Sequence, residues 1–188
     1  MKLIYIPVLY FIAVILLAHF FTPPEYFWTQ NTVSDLAAQG LKHQWIMQTG
    51  FIGFGLLINL AYLQKFRITH TIPFADVMIM LYGLSVLLTG FFSTAPFLSG
   101  VPYSAQESSL HSLFATTAGI CFTAGILLRL MAAPTATERW LHAVFLLLVI
   151  AASLGFGLAE NGTLPLGKGI LQRALYLVSF VWLLISPG

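Results

Sequence analysis

Glu107 and His111 are four residues apart, a spacing that on a helix puts both side chains on one face, where the carboxylate can orient the imidazole and raise its basicity. Such a pair suits general-base chemistry. Far upstream, Ser34 and Asp35 sit in the run Asn31-Thr32-Val33-Ser34-Asp35-Leu36-Ala37-Ala38-Gln39-Gly40, and a serine becomes a nucleophile once a base reaches it. In an enzymatic arrangement His111 is the base, Glu107 or Asp35 orients it, and Ser34 or a water attacks an acyl or phosphoryl group. Asn31 and Glu160 add polar groups for a substrate head, and Arg173 could steady an anionic one.

Each of these residues also has a plainer role. Thr32 and Asp35 have capping-box spacing, Leu36 and the alanines continue a short helix at the membrane surface, and Gly40 can stop it. His111 could be a hydrogen-bonded histidine just below the interface. Arg173 could pair with Glu160 or simply snorkel. His19, His43 and His111 fall on the same expected side, which permits zinc in principle. Their spacing matches no metal motif, so the sequence names no cofactor. Cys121 has no intrachain partner, which excludes an internal disulfide, and in its apolar run it reads as a small buried residue. His70 and His142 read as interfacial, Asn59 as an interhelical hydrogen-bonding group and Asp76 as a partner of a helix N-terminal dipole.

The elements that must position these groups are membrane helices. The chain is 59% hydrophobic and only 7% charged, with mean hydropathy +0.90, too few polar side chains to coat a water-soluble globule of this size. Runs long enough to cross a hydrocarbon core recur. The expected architecture is all-α, a single transmembrane domain of six spans at about 3–22, 45–64, 74–96, 109–131, 140–159 and 170–186. A short interfacial helix follows the first. Pro23-Pro24, Lys65-Phe66-Arg67, Pro96, Pro134 and Asn161-Gly162 with Pro165 mark the breaks. The run Leu3 to Phe21 is too long for a signal-peptide core and lacks a small-residue cleavage site, so it reads as an uncleaved span.

The eight basic residues are scattered singly, which argues against nucleic acid as a partner. Lys2, Lys65, Arg67, Arg129 and Arg139 fall on one side, against Lys42, Lys168 and Arg173 on the other, so the positive-inside rule puts both termini in the cytoplasm of a prokaryotic inner membrane. Trp28, Trp45 and Tyr103 on one side and Tyr62, Trp140 and Trp182 on the other suit interfacial belts. Gly50, Gly53, Gly55, Gly119, Gly125, Gly155 and Gly157 suit close helix packing, or leave room for a lipid tail. There is no internal repeat.

The segment Asn31-Thr32-Val33-Ser34-Asp35-Leu36-Ala37 before the second span, Gly50 to Leu57 within it, Gly90-Phe91-Phe92 ending the third and His111 opening the fourth together resemble the domain-of-unknown-function 998 family of small six-span prokaryotic membrane proteins. The family often shows Phe-Pro and then an acid after the third span; here Gly90-Phe91-Phe92-Ser93-Thr94-Ala95-Pro96 lacks that acid. In span number and in having polar motifs at one face, the chain is more distantly similar to the Frag/DRAM/Sfk group of eukaryotic membrane proteins, some linked to lipid organisation and lipid-anchor remodelling.

Three functions are compatible with this reading. The first is a lipid-handling protein with membrane lipids as partners, a hydrolase or acyltransferase in its catalytic form, with a site near the outer face. The second is a non-catalytic accessory subunit or lipid-binding scaffold, which glycine-rich faces and short loops suit. The third, a small transporter, has least support, since charged residues along the middle of the spans are nearly absent.

Overall fold

Peptide groups in hydrocarbon have no water to bond, so apolar runs satisfy their backbone internally as helices. The computed structural model describes residues 2–186 and is all-α. Six helices follow in order: α1 Tyr5–His19, α2 Gln44–Thr69, α3 Phe74–Phe91, α4 Ala105–Ala132, α5 Ala136–Glu160 and α6 Lys168–Ile185. Single 3-10 turns occupy Lys2–Ile4 and Ser34–Ala37. α2 to α6 are each long and apolar enough to cross a membrane. α1, preceded by its 3-10 turn, has 15 residues, about 22 Å of helix and short of a full crossing.

The helices alternate in direction, so the bundle has two ends. The loop end carries the α1–α2, α3–α4 and α5–α6 connections; the other, basic end carries the start of α1, the α2–α3 and α4–α5 connections and the end of α6. α3 is the most enclosed helix, packed between α2 and α4. α2 and α3 meet where neither has a side chain: a Cβ on Gly55 would press on Leu87 and the Gly83 carbonyl. Phe11 centres an aromatic core shared by α1, α2 and α6, with Phe54 at 4.8 Å, Tyr176 at 5.4 Å and Phe51 at 5.5 Å between ring centroids. α5 is peripheral and buries only His142 and Val149.

Several boundaries move for identifiable reasons. α4 begins at Ala105 rather than 109, because the Ser104 hydroxyl caps it by accepting the Glu107 N–H at 3.3 Å. Thr135 likewise caps α5 through the Glu138 N–H at 3.2 Å. α2 runs on to Thr69 and stops at His70, whose left-handed backbone (φ 53°) returns its N–H to the Phe66 carbonyl. α3 stops at Phe91, before Pro96.

At the basic end, Asp76 does more than face the α3 dipole. Buried in the first turn of α3, it pairs with Lys65 of α2 at 2.8 Å and with Arg129 of α4. Asn59 bonds its own helix, donating to the Gly55 carbonyl at 2.9 Å, instead of a neighbour. His142 and Trp182, expected at the interface, are both buried, and the Trp182 indole N–H donates to His142 Nδ1 at 3.1 Å. Tyr62 is buried too, whereas Trp28, Trp45, Tyr103 and Trp140 are exposed.

Candidate functional site

The α1–α2 loop folds inward over the loop end, held chiefly by Arg173. From the second turn of α6, Arg173 Nη1 donates to the carbonyls of Trp28 (2.7 Å), Asn31 (2.9 Å) and Gly169 (3.0 Å). Its Nη2 donates to the Tyr26 hydroxyl (2.7 Å) and to His19 Nε2 (3.1 Å). His19 can accept there because its Nδ1–H is committed to the Ile15 carbonyl at 2.6 Å. The loop lies so close on α6 that a side chain at Gly167 or Gly169 would strike the Thr29 carbonyl. Tyr26 donates to the Thr32 carbonyl at 2.8 Å, and burial pushes its phenol above the usual range despite the opposing charge of Arg173.

Past Tyr26 the expected capping box is present and reciprocal. Asp35 Oδ2 accepts the Thr32 N–H at 2.7 Å, and the Thr32 hydroxyl accepts the Asp35 N–H at 3.0 Å. The helix it opens is one 3-10 turn with Asp35, Leu36 and Ala37 buried in the bundle end. Asn31 Oδ1 accepts the Phe27 N–H at 2.9 Å. Gln172 of α6 fixes the turn from the far side: its Oε1 accepts the Val33 N–H at 2.6 Å, and its Nε2 reaches Ser34 Oγ at 3.4 Å.

Glu107 and His111 share a face of α4, yet no hydrogen bond joins them among the described residues. Both grip one peptide group of the α3–α4 loop. Glu107 Oε1 accepts the Ser93 N–H at 2.8 Å, and His111 Nδ1–H donates to the Phe92 carbonyl at 2.7 Å, with a longer contact to the Thr89 carbonyl at 3.1 Å. These are the two ends of the Phe92–Ser93 peptide, which follows the last residue of α3 in extended backbone. In Ser93, fully buried, the N–H, the carbonyl and the hydroxyl oxygen are all bonded, the hydroxyl oxygen accepting from Gln48 at 2.8 Å and the carbonyl from Gln39 at 3.1 Å. His111 Nε2 makes no hydrogen bond among the described residues.

Beneath these contacts lies a cleft of about 670 Å³, a volume usual for a small-molecule site. α4 packs on α3 and α5 but makes no comparable interface with α6. Partway along the bundle α4 meets α6 through Phe122 and Trp182, 5.3 Å between ring centroids. Towards the loop end the two helices stand apart. One wall is α4, with Ala115, Gly119 and Phe122; the other is α5 and α6, with Ser153, Phe156, Leu175 and Tyr176. Phe51, Tyr82 and Val86 form the floor, and Ser34, Thr89 and Gln172 are its polar residues nearest the loop end. Gly119 faces open space, with nothing within 4 Å of where a Cβ would stand, whereas Gly125 is pressed against Ile79 of α3.

Of the residues singled out by sequence, Ser34, Asp35, Glu107 and His111 all lie at the loop end; Ser34 lines the cleft together with Thr89 and Phe51, which touch the His111 ring, and no hydrogen bond joins the serine to the histidine among the described residues. Arg173 and Asn31 belong to the loop anchor. Glu160 is exposed, and among the described residues Asp76 holds the ion pairs, so Arg173 and Glu160 are not joined by one. No group of three metal-ligating side chains occurs among the described residues. The cleft itself had no signature in the sequence; only the small residues at 115, 118 and 119 on one face of α4 hint at it.

The fold and site define an all-helical, membrane-spanning protein with a lateral apolar cleft under a capped loop end. The chain belongs to the family described as Protein of unknown function (DUF998), which matches residues 6–186. Comparisons with curated proteins and with solved structures find no match.

Proposed function

We propose that this protein handles membrane lipid, taking an acyl chain into the cleft between α4 and the α5–α6 pair with the lipid's polar part beside Ser34, Thr89 and Gln172. The observation that carries this reading is the cleft: predominantly apolar, with Ser34, Thr89 and Gln172 at its loop end, the Thr123 and Ser179 hydroxyls farther in returning their protons to their own helices at 2.8 Å, and exposed residues such as Ile120 and Ser153 along its flank. From Ala115 to Leu127 it follows α4 for about 18 Å, close to the roughly 15 Å of one leaflet's hydrocarbon. The basic end carries the larger share of lysine and arginine, which supports placing it in the cytoplasm and the cleft in the outer leaflet of an inner membrane.

A catalytic version adds a step at Ser34. His111 Nδ1 is fixed as a donor, so Nε2 is the free basic nitrogen, and Ser34 lines the cleft. That version is a lipid hydrolase or acyltransferase with Ser34 or a water as the nucleophile. The scaffold alternative draws on the exposed face of α5. Reconstitution with a photoreactive, clickable acyl probe separates these readings. Adducts on α4 residues 115–127 support lipid handling, and their absence with a stoichiometric protein companion supports the scaffold. Loss of product in Ser34→Ala with adducts retained supports the catalytic version.

A further inference from the structure

We infer that the lipid taken by this cleft has an uncharged head, an acylglycerol rather than an anionic phospholipid; the inference rests on the lipid-handling reading above. No acid, base or histidine lines the cleft among the described residues, and its polar groups are hydroxyls and one carboxamide. Arg173, next in sequence to the cleft residue Gln172, is turned away, both its terminal nitrogens committed to carbonyls, the Tyr26 hydroxyl and His19. Lys42 and Lys168 also stand at that end but do not line the cleft, and the carboxylates of Asp35 and Glu107 are themselves bonded to backbone N–H groups. A phosphate drawn down beside Ser34 would lose water, find no counterion and face two like charges.

A hydroxyl or ester head meets matching chemistry. Among the described residues Ser34 Oγ is met only by the long contact from Gln172 Nε2, at 3.4 Å, which leaves its proton to donate to an ester carbonyl. The Thr89 hydroxyl gives its proton to the Val86 carbonyl at 2.6 Å, leaving its oxygen to accept from a glycerol hydroxyl. An acylglycerol presents both groups on adjacent carbons. Gly119 then sets the width of the slot, because it leaves α4 without a side chain where the chain would enter.

The test uses the full chain in phosphatidylcholine vesicles, with photoreactive diacylglycerol, phosphatidylglycerol and phosphatidate probes carrying the same acyl chain. The diacylglycerol probe should label α4 residues 115–127 roughly tenfold more than either anionic probe, the scale expected for leaving one charge unpaired in a half-buried site. Gly119→Leu, which favours helix and fills the slot, should abolish that labelling while melting at or above the wild-type temperature. Thr116→Arg, placing a cation on the cleft wall, should shift preference towards the anionic probes. Equal or stronger labelling by phosphatidylglycerol in the unaltered protein would overturn the uncharged-head assignment and leave lipid handling standing. No α4 labelling by any probe, or adducts only between two copies of the chain, would overturn both.

Discussion

If Glu107 and His111 hold opposite ends of one peptide, their contributions to stability must be coupled. Glu107→Ala leaves the buried Ser93 N–H without its carboxylate, a loss of about 2 kcal/mol for a charge-assisted bond. His111→Ala removes a neutral hydrogen bond and a buried ring against Phe51, about 3 kcal/mol together. Once either grip is released, the Phe92–Ser93 peptide can turn toward water or continue α3. The second loss then costs less than it would alone. The double variant should therefore fall short of the roughly 5 kcal/mol sum by about 1 kcal/mol, within the range seen for residues sharing one network. Glu107→Gln keeps an acceptor oxygen and should lose only about half as much as Glu107→Ala. Denaturant titration in mild detergent, read by tryptophan fluorescence, gives the four free energies. Additivity within about 0.4 kcal/mol would refute the shared-peptide clamp. An unchanged Glu107→Gln midpoint with a large loss of lipid turnover would move Glu107 from the scaffold to the chemistry.

Arg173→Ala should destabilise by about 3–5 kcal/mol, since it strips partners from the carbonyls of Trp28 and Asn31 and from Tyr26. A scanning melt should show a drop of about 10 °C or more, while Glu160→Ala, at an exposed position, should stay within about 0.5 kcal/mol of wild type. Asp76→Asn leaves Lys65 and Arg129 facing each other and should cost about 3–5 kcal/mol, partly recovered when Lys65 is also changed to Met. Because the folded-state pKa of Tyr26 is raised, the neutral phenol favours the fold fully below about pH 10, and that contribution declines as pH rises through the folded value. Tyr26→Phe should therefore flatten the alkaline limb of a stability-versus-pH curve.

The sequence announces helices because length and apolarity leave no other way to satisfy backbone in lipid. It announces the Thr32–Asp35 box because both partners lie three residues apart. What escapes it is long-range or addressed to backbone. Gln172 binds Val33 across 139 positions, and the carbonyls held by Arg173 carry no residue type that could advertise them. The four-residue spacing of Glu107 and His111 fixed their common face but not their partner, since helical periodicity says which way a side chain points and nothing about what packs there. The interface assignment of His142 and Trp182 failed for a related reason: an amphipathic ring near a helix end suits an interfacial belt, but here each ring's polar atom finds the other and both are buried.

The same accounting explains why charge is absent from the cleft. Irregular backbone at the end of a membrane bundle survives only if side chains replace the missing helical bonds. This protein leaves the α1–α2 and α3–α4 loops folded inward rather than out in water. Arg173 therefore serves loop carbonyls, Asp35 and Glu107 serve loop N–H groups, His111 a carbonyl, and Gln39, Gln48 and Gln172 the gaps between. With those groups committed, the cleft below inherits hydroxyls, aromatic rings and space. α4 divides the labour along its length: Gly125 closes it onto Ile79 of α3, while Gly119, less than two turns away, holds it open to the cleft. In the proposed lipid site, selectivity would rest on shape and on the cost of burying an unpaired charge, so altering the width at Gly119 would test recognition without touching the polar network that holds the end together.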